Sequence, residues 1–217
     1  MISGYNHLLS AFRSWIPAFA GMTKKGKKTM NLQNKILVIV GSAPCVWDDI
    51  AALSSIYRGQ RPMYSYGNEK TACDVMLIGY DSVDKCLWPA KYFATYHPTE
   101  IQMSKERRAA AGGNTDWAII SHQQQDGLVN IIIPLVGVPS GSSALLGVHA
   151  GIQEGYKKIV VCGCPLTGKN DKGNDYEVFR KGWEAKLNEI KDYVRSMSGW
   201  TRELVGAPTT EWLKGSE

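Results

Sequence analysis

Ile36 to Val40 form an unbroken apolar run, β-branched except at Leu37, that stops abruptly at Gly41-Ser42-Ala43-Pro44. Trp47, Ile50 and Leu53 then recur at helical spacing. This pattern predicts a strand buried on both faces, a tight turn, and a helix from about Trp47 to Tyr57. The break at Arg58 to Pro62 closes that helix. Further apolar runs at Asp74 to Ile78, Lys91 to Tyr96, Trp117 to Ser121 and Val129 to Ile133 predict four more strands. A charged helix over Glu100 to Ala111 separates two of them. Pro139 to Ser143 opens a helix of small residues, Ala144 to Glu154, which Gly155 ends. Lys158 to Cys162 is another buried strand, ending at Gly163-Cys164-Pro165. Phe179, Trp183, Leu187 and Ile190 mark a last helix over about Tyr176 to Arg195, and an irregular tail carrying Trp200 and Trp212 follows from Ser196.

Apolar strands that alternate with helices predict an α/β fold: a single three-layer Rossmann-like domain with a mostly parallel sheet. A chain of 217 residues, 44% of them hydrophobic, suffices for one such core. The expected organisation is a leader over 1–29, the domain over 30–195, and a tail over 196–217 that packs on the domain or on a partner.

Charge changes the picture only at the N-terminus. Arg13, Lys24, Lys25, Lys27 and Lys28 face no acid within residues 1–30, so they account for the whole net charge of +5. The body is neutral, which argues against a nucleic-acid surface. The apolar stretch Ala11 to Met22 is too short for a bilayer span and contains Arg13 and Pro17, so no membrane association is expected. Ser14 to Thr23 resembles the translated product of an interspersed repeat found in many bacterial genomes, which implies a start at Met30 and a disordered leader. Five cysteines without regular spacing suit a reducing cytoplasm rather than a disulfide framework.

In open α/β sheets, ligands bind at the C-terminal ends of the strands, where turns and helix N-termini favour anions. Gly41 to Pro44 lacks both the Walker lysine and the three-glycine dinucleotide pattern. It offers a glycine, the Ser42 hydroxyl, and Pro44 before a helix, and a plain strand-to-helix turn accounts for the loop equally well. Cys45 stands at that helix start, where a thiolate is favoured, although a packed thiol is the plainer reading. Ser140, Gly141 and Ser142 form a second hydroxyl-rich helix start, and a plain cap accounts for them equally well. Gly163 ends a neighbouring strand at the same edge. Asp81 follows the second strand, within reach of a ribose hydroxyl or a Mg²⁺-phosphate; Asp84 reads as a solvated loop acid. His97, between a strand end and Pro98, is the acid–base candidate, although a strand-end histidine satisfied by the backbone accounts for it equally well; His122 is its substitute and His149 a packing residue. Cys162 and Cys164 have the wrong spacing for zinc, so no metal site is expected. Asp48 and Asp49 read as helix-capping carboxylates.

Together, Gly41 to Pro44, Asp81, His97-Pro98, Ser140 to Ser143 and Gly155 to Gly163 resemble a family of uncharacterised phage and prophage proteins, some labelled morphogenetic. The segment Arg195 to Pro208 resembles that family most. The resemblance implies a protein of the bacterial host cell, with phage structural or assembly proteins as partners. More distantly, the glycine turn and the Ser-Gly-helix-strand unit are similar to bacterial CMP-sialic-acid sialyltransferases and to a hydroxymethylpterin pyrophosphokinase group. The former likeness implies a nucleotide or CMP-sugar held by Gly41, Ser42, Pro44, Ser140 and Gly141; the latter implies Mg²⁺. Cys45 stands where the sialyltransferases usually have serine. A non-catalytic interaction protein on the same fold is the rival expectation.

Overall fold

A computed structural model describes residues 35–57, 73–134, 142–169, 173 and 175–214, all within one unit, Asn31–Glu217. The expected leader over 1–29, the break at Arg58 to Pro62, and the candidates Ser140 and Gly141 lie outside the described residues.

Seven strands form one sheet: β1 (Ile36–Val40), β2 (Cys73–Ile78), β3 (Tyr92–Ala94), β4 (Ala118–Ser121), β5 (Ile131–Ile132), β6 (Lys158–Cys162) and β7 (Val194–Ser196). Their order is β5-β4-β3-β2-β1-β6-β7, and every pairing is parallel. The helices are α1 (Val46–Tyr57), α2 (Ile101–Ala110), α3 (Ser143–Gln153), α4 (Glu177–Ile190), α5 (Gly199–Val205) and α6 (Thr210–Lys214).

Alternation along the central strands builds the two halves of the core. Ile36, Val38 and Val40 of β1 point to the face covered by α1, α2 and α6, where Val46, Leu53, Ile101 and Leu213 meet them. Leu37 and Ile39 point to the other face, against Leu145 and Val148 of α3 and Trp183 of α4. The fold is therefore a three-layer, Rossmann-like α/β domain.

The C-terminal part differs from expectation. The last long helix stops at Ile190 instead of Arg195, because Lys191 to Tyr193 turn the chain and Val194 enters the core as a strand residue beside Ile159. The tail is not irregular either. β7 crosses the expected boundary at residue 195, and α5 and α6 follow it. Trp200 packs against one half of the core and Trp212 against the other.

Candidate functional site

Chain order reverses between β1 and β6, the switch point at which sheets of this kind bind ligands. Here the two strand ends are sewn together. The Gly41 N–H donates to the Cys162 carbonyl at 2.8 Å, and the Ala43 N–H to the Gly163 carbonyl at 3.1 Å. A Cβ at Gly41 would lie 2.3 Å from both the Cys164 sulfur and the Gly163 oxygen. At Gly163, where φ is +68°, it would lie 2.7 Å from the Val46 Cβ. Both positions thus require glycine for contact between turns, and the space beside Gly41 is filled by protein. Ser42 and Pro44 remain exposed on the outer side of the turn.

Asp49 fastens this junction. Its buried carboxylate Oδ2 accepts the Gly163 N–H at 2.7 Å, the Ser198 hydroxyl at 2.8 Å and the Cys45 thiol at 3.8 Å. The Cys45 sulfur also lies 3.4 Å from the Ser198 oxygen. Burial pushes the Cys45 thiol up; the Ser198 hydrogen bond opposes this and the Asp49 charge reinforces it. The thiol therefore stays protonated near neutrality, despite its place at a helix start. Thr201 extends the junction, donating to the Cys164 carbonyl at 2.8 Å.

The adjacent strands bring further candidates to the same edge. After β2, Asp81 stands in a short 3-10 turn, largely exposed, with one oxygen 3.2 Å from the Arg107 guanidinium. Asp84 receives two Arg107 hydrogen bonds, from Nε at 3.0 Å and Nη2 at 2.7 Å, so it is not a free loop acid. After β3, His97 is exposed, and its backbone N–H donates to Thr95 Oγ1 at 2.9 Å. After β4, His122 stacks on Tyr96 with ring centroids 4.7 Å apart, its Nδ1 buried without a hydrogen-bond partner.

The N-terminus of α3 faces this half of the edge. Ser142 caps it by accepting the Leu145 N–H at 3.3 Å and also meets the Trp183 indole N–H at 3.4 Å. The Ser143 hydroxyl accepts the Tyr96 N–H at 3.1 Å. His149, deeper in α3, has its pKa lowered by burial, with Glu189 acting against that shift.

Parallel strands thus place Gly41 to Cys45, Asp81, His97, Ser142 and Gly163 on one edge. One strand, β2, separates β1 from β3, a span of about 10 Å. Asp49, Ser198 and Thr201 join them without having been singled out as site residues. The sequence signal for the last two is the hydroxyl-rich start of the Arg195 to Pro208 segment. Among the described residues, no group of three or more His, Cys, Asp or Glu side chains is placed to hold a metal. Among them, too, no helix is long and apolar enough to cross a membrane.

No protein-family model matches the chain, and no curated protein matches its sequence. Solved structures share its fold. The sialyltransferase CstII from Campylobacter jejuni, in complex with the substrate analogue CMP-3FNeuAc, superposes with a TM-score of 0.50 at 12% identity, over 84% of this chain and 88% of that one. In complex with cytidine-5'-monophosphate, CstII gives a TM-score of 0.51 at 13% identity, over 85% and 88%. At such identity the likeness is one of fold. Neither structure bears on the phage resemblance.

Proposed function

We propose that the chain binds a nucleotide or nucleotide sugar across the C-terminal edge of its sheet and acts as a transferase of the nucleotide-sugar class. The observation that carries this reading is that two helix N-termini, those of α1 and α3, open at the same C-terminal edge of the sheet, one from each face. The fold shared with a protein that holds CMP and a CMP-sugar analogue supports the same reading.

The two helix starts are not equivalent. Asp48 and Asp49 occupy the first turn of α1, whereas the first turn of α3 contains no acid. A phosphate therefore belongs at α3, and the nucleoside extends toward the exposed Ser42 and Pro44. His97 supplies the general base, taking the proton from an acceptor hydroxyl as that oxygen bonds to the donor sugar and the nucleotide departs. Asp81 and Asp84 are already paired with Arg107, so a Mg²⁺ ion there would compete with a guanidinium.

Titration with CMP, UMP, AMP and GMP, read by thermal unfolding, tests the binding step. A ligand at 100 times its dissociation constant should stabilise the fold by about 2.7 kcal/mol. His97→Ala should leave that shift nearly intact while abolishing sugar transfer or donor hydrolysis. No stabilisation by any of the four nucleotides would favour the non-catalytic interaction protein.

A further inference from the structure

Trp47 is 55% exposed and is the one aromatic among the large apolar side chains left open by the described residues. Its position makes that exposure informative. Val46 and Ile50 of α1 enter the core, while Cys45 and Asp49 meet Ser198. These contacts fasten the inner side of the first turn, and Trp47 takes the outer side. Helical side chains lean toward the helix N-terminus and cover the turn that precedes them. At the second residue of α1, Trp47 stands in the first turn after Ser42 to Pro44, and this lean directs its indole toward the edge where the strands end. Two of those three residues, Ser42 and Pro44, are themselves exposed.

We propose that Trp47 is the platform on which the base of the bound nucleotide stacks, an assignment that rests on the nucleotide reading above. The chemistry at each end of the site agrees with it. Asp48 and Asp49 make this end unfavourable for a phosphate but leave a neutral base undisturbed. An indole face accepts any nucleobase, because each presents a π-surface. The platform is firm, since the helix turn that carries it is tied through Asp49 to the turns after β6 and β7.

Calorimetric titration of CMP and of ribose 5-phosphate into the full-length protein, Trp47→Ala and Trp47→Phe tests the platform. Trp47→Ala should weaken CMP binding by about tenfold or more and leave ribose 5-phosphate binding unchanged. Trp47→Phe should recover most of the loss. The exposed position predicts unchanged circular dichroism for both variants. Equal CMP affinity in Trp47→Ala and wild type would overturn the platform and leave the nucleotide reading standing. Equal losses for CMP and ribose 5-phosphate would also overturn it, because Trp47 would then shape the turn instead of meeting the base. A wild-type protein that binds neither these ligands nor UMP, AMP or GMP would overturn the nucleotide reading itself, and the platform with it.

Discussion

Arg108 of α2 is fully buried and, among the described residues, has no carboxylate partner; its guanidinium is satisfied by main-chain carbonyls. Nε donates to Asn114 at 3.3 Å, Nη1 to Val83 at 2.9 Å and also to Cys86, and Nη2 to Trp88 at 2.7 Å. The planar fork thereby holds the whole connection between β2 and β3. Burial lowers the pKa of this group, with the Cys86 thiol acting the other way. Arg108→Met keeps much of the volume but strands several buried carbonyls, and it should cost about 3 kcal/mol or more in urea unfolding. Arg108→Lys should recover only part of that loss, since one ammonium cannot reach all four carbonyls. Full recovery by lysine would show that charge, and not the fork, is what the connection needs.

At the scale of elements, the segment after Ile190 carries the most consequence. The ammonium of Lys158 donates to the Leu213 carbonyl at the end of α6 (2.6 Å), and the Arg195 guanidinium lies 5.0 Å from the Trp212 ring centre. Leu213 is buried in the half of the core that also contains Val46 and Leu53. Removing residues 196–217 should expose both faces of the sheet, lower the melting temperature and cause aggregation, measured by calorimetry and gel filtration. A truncated chain that stays monomeric and equally stable would make this segment a mere appendage. The sequence announces β1 and β6 because strands buried on both faces read as continuous apolar runs. It hides β7, whose Val194-Arg195-Ser196 has one apolar residue and follows a helix after only a short turn. The inward turn of Asp49 is hidden as well. Beside Asp48 it looks like a cap, and its partners Gly163 and Ser198 lie 114 and 149 positions away. Gly41, His97 and Ser142 are legible as edge residues because each follows or precedes a clear element, whereas the filling of the space beside Gly41 depends on Cys164, which only the folded sheet brings there.

Across the whole molecule, the two ends of the sheet do different work. The C-terminal ends carry the candidate site, and the opposite ends carry an ionic cluster. There the Asp74 carboxylate accepts from Lys35 at 2.6 Å, from Lys91 at 3.0 Å and from the Tyr156 hydroxyl. Burial raises the Asp74 pKa, but the hydrogen bonds from Lys35, Tyr156 and Lys91 outweigh it, and the folded value lies below the ordinary one. A depressed folded pKa stabilises the protein above the unfolded value of about 3.9, and that contribution is lost as the pH falls through the folded value. Asp74→Asn should therefore be less stable than wild type at pH 7, with the gap narrowing as the pH drops below 4. A gap independent of pH would mean that packing, not ionisation, sets the effect. The strand order has a further consequence during synthesis. β1 finds β2 early, but its other neighbour, β6, begins roughly 120 residues later, about 6 to 24 s of elongation on a ribosome adding 5–20 residues per second. Through that interval one hydrogen-bonding edge of Ile36–Val40, an unbroken apolar stretch, has no strand to cover it. The nascent chain is most exposed to misassembly while its central strand waits for the second half of the sheet.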